Sequence, residues 1–225
     1  MVSRASGGPA RTGGSYTIEV GGNHAKTDMS DPLYLSLWFP RLEFEELLQH
    51  TVAVMRQFPF SQEHAGITYL SLHAVSWNEA TVFEQRFRPA VAPEEAVALA
   101  AEQLHEDYAY VFEAGWDLWT PAENGAQWTL QPASVRFIAR GPEFDEASYE
   151  QEGHVEIDFG SDAPFLQEQV KYNEDTESKI LANVQKLVEF SAKLEKNSGA
   201  SARLLWSESE ENLAQKLIAR LQKVQ

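Results

Sequence analysis

Between Tyr108 and Phe159 the large apolar residues fall on every second position. Tyr108, Tyr110, Phe112, Trp116 and Leu118 alternate first; Trp128 and Leu130 follow, then Val135, Phe137 and Ala139, then Val155, Ile157 and Phe159. Period-2 alternation puts these side chains on one face of a strand and the intervening polar ones on the other. A run of such strands separated by turns is an antiparallel sheet with one packed face and one wet face. The pattern predicts four strands here, with Pro121-Ala-Glu-Asn-Gly125 as a turn.

Elsewhere the period switches to that of a helix. Phe44, Leu47, Leu48, Thr51, Met55 and Phe58 predict an amphipathic helix over about 41–57, stopped by Pro59. Pro93 opens a second helix, with Glu94 and Glu95 in the first turn where the macrodipole favours acids. Its expected buried stripe is Val97, Ala101, Leu104 and Tyr108. Ile180, Val184, Leu187, Val188, Ser191 and Leu194 mark a third helix, and Leu213, Leu217, Leu221 and Val224 a fourth. Further strands are expected over 33–39, 66–77, 80–88 and 202–206, with Trp77-Asn78-Glu79-Ala80 as a hairpin turn. The fold class that follows is α+β, a largely antiparallel sheet with about four helices packed mainly on one side.

Residues 1–28 hold six of the thirteen glycines and few large apolar residues, so they read as a flexible tail, with Tyr16–Val20 as a short strand at most. Residues 29–225 read as a single domain. The chain has no cysteine, which excludes disulfides, thiolate nucleophiles and Cys-ligated metals and fits a reducing cytoplasm. No apolar run approaches the ~20 residues of a membrane span, and no glycine-rich phosphate loop or nucleophile elbow occurs. No cofactor is expected.

The charge is unevenly spread. Residues 91–175 carry 19 Asp and Glu against 3 Lys and Arg, a balance of −16 that equals the net charge of the whole chain. A field of one sign steers basic partners and repels nucleic acid and anionic membranes. The expected function is therefore a non-enzymatic interaction or adaptor protein whose acidic surface binds a basic protein. Glu113, Asp117, Trp119 and Glu123 are the candidate contact residues, because Trp119 breaks the alternation and falls on the acid-bearing face of its strand. A tryptophan beside carboxylates suits an interface anchor or a cation-recognising patch.

The alternative is a metal-assisted hydrolase. His154, Glu156 and Asp158 lie two apart on one strand, so they share a face. An imidazole and two carboxylates are suitable ligands or bases, although their attachment points stand ~6.6 Å apart. Arg136 and Arg140 fall on the polar face of the preceding strand. If Ile138 pairs with Glu156, Arg136 lies opposite Asp158 and Arg140 opposite His154. The five groups then make a cross-strand charge ladder, at about 0.2–1 kcal/mol per pair.

Overall fold

Tyr110, Phe112, Trp116 and Leu118 point the same way along one long strand and reach almost no solvent. The computed structural model describes residues 31–122, 127–166 and 174–207, together with Leu217. It runs β1 (Pro32–Trp38), α1 (Leu47–Met55), β2 (Ile67–Ala74), β3 (Thr81–Val91), α2 (Pro93–Ala101) and β4 (Tyr108–Pro121). Then come β5 (Trp128–Arg140), α3 (Tyr149–Glu152), β6 (Val155–Ser161), α4 (Ala163–Leu166), α5 (Glu174–Asn197) and β7 (Ala202–Ser207). The strands form one seven-stranded sheet in the order β3-β2-β4-β5-β6-β1-β7, with every neighbouring pair antiparallel. The fold is α+β, as the alternation implies. Among the described residues no helix is long and apolar enough to cross a membrane.

One face of the sheet carries the core. Leu33, Leu35 and Leu37 of β1, Leu70 and Leu72 of β2, Phe137 of β5 and Ile157 of β6 join the β4 residues there, under α1, α2, α4 and α5. Phe58, just after α1, is the hub. Its ring meets Trp116 at 5.5 Å, Phe137 at 5.0 Å and Phe190 of α5 at 5.3 Å between centroids. The Phe137 and Phe190 contacts are edge-to-face, the arrangement the ring quadrupole favours, at about 0.5–1.5 kcal/mol each beyond area burial.

Several boundaries differ from expectation for physical reasons. The two strands expected around 128–130 and 135–139 are one strand, β5, which runs through Pro132. Strand β6 pairs only with Arg136–Ala139, so Pro132 lies where β5 is a sheet edge and its missing N–H breaks no ladder bond. Helix α2 stops at Ala101 and buries Ala96, Val97 and Ala100 instead of a stripe reaching Tyr108. Its end is fixed by the Tyr110 hydroxyl, which accepts from the His105 N–H at 2.8 Å and donates to the Gln103 carbonyl at 3.1 Å. Strand β2 ends at Ala74 because Val75 turns into the left-handed region at φ 65°. The first helix opens as a 3₁₀ turn over Phe44–Glu46 before α1, and α5 already includes Glu174, ahead of its first buried isoleucine, Ile180. The Tyr16–Val20 strand lies outside the described residues, as does the helix over 213–224 apart from Leu217, which packs into the core.

Candidate functional site

The open face of the sheet is built in lateral rows. The register aligns Arg86, Tyr69, Glu113, Arg136, Asp158, Tyr34 and Trp206, one from each strand. The expected pairing of Ile138 with Glu156 is present, and it sets Arg136 opposite Asp158. Arg136 donates from Nε to Asp158 Oδ2 at 3.1 Å and from Nη2 to the same oxygen, while the Gly160 N–H donates to Oδ1 at 2.7 Å. Arg140 reaches diagonally. Its Nη2 lies 2.9 Å from Glu156 Oε1 and 2.8 Å from Glu152 Oε2.

This ladder is not the solvated face that alternation suggests. Arg140, Glu156 and Asp158 are 3%, 3% and 4% exposed. They line a cavity of about 290 Å³ with Tyr34, Trp77, Arg136, Ile138, Glu152 and Trp206. Burial pushes the Glu156 carboxyl above its ordinary value, and the guanidinium of Arg140 offsets only part of that. Among the described residues, the Nε and Nη1 atoms of Arg140 are sealed from solvent and have no hydrogen-bond partner.

His154 does not share this face. It precedes β6 and follows Gly153, whose φ of +94° redirects the chain and whose Cα lies against the β1 backbone; a Cβ there would fall 2.8 Å from the Leu37 nitrogen. The imidazole therefore turns away. Its Nδ1 accepts from the Phe39 N–H at 3.1 Å and its ring stacks on Tyr149 at 4.8 Å. It borders a separate 70 Å³ cavity with Leu42, Phe44 and Tyr149. Burial, with His50 nearby, lowers its pKa, which favours the neutral ring. The expectation that His154, Glu156 and Asp158 share one face fails at this glycine. Among the described residues no three His, Cys, Asp or Glu side chains are grouped to hold a metal.

The residues expected to form the contact surface are dispersed. Glu113 lines a 510 Å³ cleft with Tyr69, Arg86 and Arg88 near the β3 edge. Asp117 accepts from the Gln62 N–H at 3.0 Å. Burial works against its charge, but hydrogen bonds from Ser61 and Gln62 and the nearby Lys186 hold its carboxyl below the usual value. Trp119 is tied to α5, its N–H donating to Asn183 Oδ1 at 2.9 Å and its ring lying under Lys179 Nζ at 5.0 Å. Glu123 lies outside the described residues.

What gathers acids instead is the other end of the sheet. Three loops meet there, residues 75–80, 102–107 and 141–152. The Val75 N–H donates to the Asp107 carbonyl at 2.7 Å, Asp145 N–H to Val75 at 2.8 Å, and Glu143 N–H to Glu106 at 2.9 Å. Glu79, Glu106, Glu143, Glu146 and Glu150 are exposed on them, and Asp107 and Asp145 partly so. On the first of these loops Val75 is 56% and Trp77 37% exposed. Val75, Asp145, Glu146 and Ala147 all have positive φ, between 47° and 65°. That region is a genuine outlier for a β-branched residue, and it persists only where surrounding bonds impose it. Trp77 rests edge-on against Phe144 at 4.9 Å and beside His73 at 5.1 Å, with the Arg140 guanidinium 5.9 Å from its ring. The sequence marked Trp77 only as a turn residue; a large indole inside a two-strand turn was the available signal.

The chain matches no family model, no curated protein and no solved structure.

Proposed function

We propose that the protein is a non-enzymatic interaction protein that binds a basic partner through its acidic loop end. The carrying observation is the exposure of Trp77 and Val75 on one of three acid-bearing loops that are cross-linked through their backbones. An indole held by Phe144 and His73 loses little freedom on binding, which suits it to be an anchor. The surrounding acids supply long-range attraction and orientation. Two of the loops fall within residues 91–175, so the sequence-level charge asymmetry and this surface agree in part. Asp117 and Trp119 have internal partners, which favours the loop end over the 113–123 region as the contact surface. Metal-assisted hydrolysis is less well supported, because His154 opens on a different cavity from Glu156 and Asp158.

The test is partner capture on immobilised protein from an extract of the source cells. The wild type is compared with Trp77→Ala and with the triple reversal Glu106→Lys, Glu143→Lys, Glu146→Lys. A specific partner should be lost with each variant, Trp77→Ala costing about 2 kcal/mol or more. It should also weaken steeply between roughly 50 mM and 500 mM salt, as exposed charges are screened. A partner held equally by the reversed protein at high salt overturns the reading.

A further inference from the structure

We propose that the cleft at the end of β2 and β3 away from their connecting turn binds a small organic phosphate monoester, its phosphoryl group held by Arg86 and Arg88. The site lies at the opposite end of β3 from the 75–80 loop and is independent of the basic-partner reading. Its origin is a break in the β2–β3 ladder. Tyr69 pairs with Arg86 and Ile67 with Val91, so Thr68 alone stands against Phe87, Arg88, Pro89 and Ala90. The β3 backbone must swing away from β2 over that stretch. It returns where Gly66, at φ +140°, leaves room for the Val91 carbonyl oxygen, which a Cβ would approach to 2.2 Å. The opening is the 510 Å³ cleft, which His64 and Glu113 also border.

Two cations line this cleft without a counter-ion among the described residues. Arg56, Arg136, Arg140 and Arg203 are each paired with a carboxylate. Arg86 and Arg88 are exposed and make no ion pair or side-chain hydrogen bond among the described residues. Phe87 between them packs against the core, so both arginine side chains project to the other side of the strand. Glu113, the acid of the lining, does not pair with Arg86, because Tyr69 stands between them in the lateral row. The Arg86 guanidinium lies 5.0 Å over the Tyr69 ring, a contact that steadies it and leaves the N–H donors around its edge open. A single exposed arginine needs no partner. Two that converge on one concavity, one of them fixed over a ring, make an oxyanion site.

The donor set selects the anion. A carboxylate has two oxygens in one plane and fills one guanidinium fork. A phosphoryl group has three terminal oxygens in a tetrahedron and takes forks from two arginines at once. The His64 imidazole, half exposed at the border of the cleft, adds an N–H donor. The remaining lining selects the ester half. Phe87, Pro89 and Ala90 give the cleft an apolar side, and its volume holds an aryl or similarly sized group beyond the phosphoryl. Bare phosphate would leave that side empty.

The experiment is calorimetric titration of the full chain with phenyl phosphate, inorganic phosphate and phenylacetate. Phenyl phosphate should bind. Inorganic phosphate lacks the apolar contact and phenylacetate the second fork, so each should bind at least about tenfold more weakly. Arg86→Gln and Arg88→Gln should each lower phenyl phosphate affinity about tenfold or more, the loss of a charge-assisted hydrogen bond. Arg203→Gln, on the opposite edge of the sheet, should leave it unchanged. If circular dichroism shows that Arg86→Gln does not fold, Arg88→Gln decides, since the Arg88 side chain makes no bond among the described residues. No heat with phenyl phosphate up to about 10 mM, a limit set by the weakest useful affinities, overturns the proposal. So does equal binding of either analogue, or unchanged affinity in Arg88→Gln. An equal loss in Arg203→Gln also overturns it, because the attraction would then be one of general charge. Reversal of Glu106, Glu143 and Glu146 alters none of the cleft lining, so failure of the partner reading leaves this result intact.

Discussion

Glu156 and Gly141 show how single residues set the open face and its loop end. Burial disfavours the Glu156 carboxylate more than Arg140 favours it, so its folded pKa sits above the ordinary 4.5. A carboxyl with a raised folded pKa adds stability that is full below the unfolded value and is lost as pH rises through the folded value. Wild-type stability relative to Glu156→Gln should therefore fall as pH rises from about 4 toward 7. Urea midpoints of the two proteins across that range check it, and a constant difference refutes it. Gly141 acts by shape: a Cβ there would lie 2.2 Å from the Glu106 carbonyl oxygen. Gly141→Ala should cost about 1–3 kcal/mol by urea denaturation and part the 102–107 and 141–152 loops. At this scale the sequence was legible where alternation governed, as with Arg136 opposite Asp158. It was silent where one glycine redirects the chain, which is why His154 leaves the ladder its spacing assigned it.

The helices show what holds the elements in register. Asn183 of α5 is fully buried and clamps β4 from the side. Its Oδ1 accepts from the Trp119 N–H, and its Nδ2 donates to the Trp119 carbonyl at 2.7 Å and to Pro164 at 3.0 Å. Asn183→Leu keeps the volume and strands those backbone groups, at roughly 1–3 kcal/mol each. The expected loss is about 3 kcal/mol, read from the thermal or urea midpoint, together with release of Trp119 to a more solvent-like fluorescence. A loss below about 1 kcal/mol would mean that water takes over the bonds. Strand existence and facing were readable from period 2 and the core helices from period 3.6. What the periods could not show was the terminations. The Tyr110 hydroxyl ends α2 through a contact that exists only once β4 is in place, and β5 continues through Pro132 only because β6 stops short of it.

Across the whole molecule the linear charge count and the surface diverge. Residues 91–175 hold the entire net charge of −16, yet Glu156 and Asp158 are inside the sheet's cavity, and Asp117 is bonded at the far end of β4. The order β3-β2-β4-β5-β6-β1-β7, with β1 inserted between β6 and β7, is not written in any local pattern. It is this order, with the loops it brings together, that turns scattered acids into one surface. Like charges collected this way oppose the compact state, because unfolding separates them. Salt should therefore stabilise the protein. The thermal midpoint should rise between about 10 mM and 150 mM sodium chloride, as the Debye length shrinks from roughly 30 Å to 8 Å. The triple reversal of Glu106, Glu143 and Glu146 should flatten that rise, since it removes repulsion where the three loops converge. A midpoint independent of salt would mean that the carboxylates stand too far apart to repel one another. A rise that survives the reversal unchanged would place the repulsion elsewhere on the molecule and remove the electrostatic basis for the loop end as the docking surface.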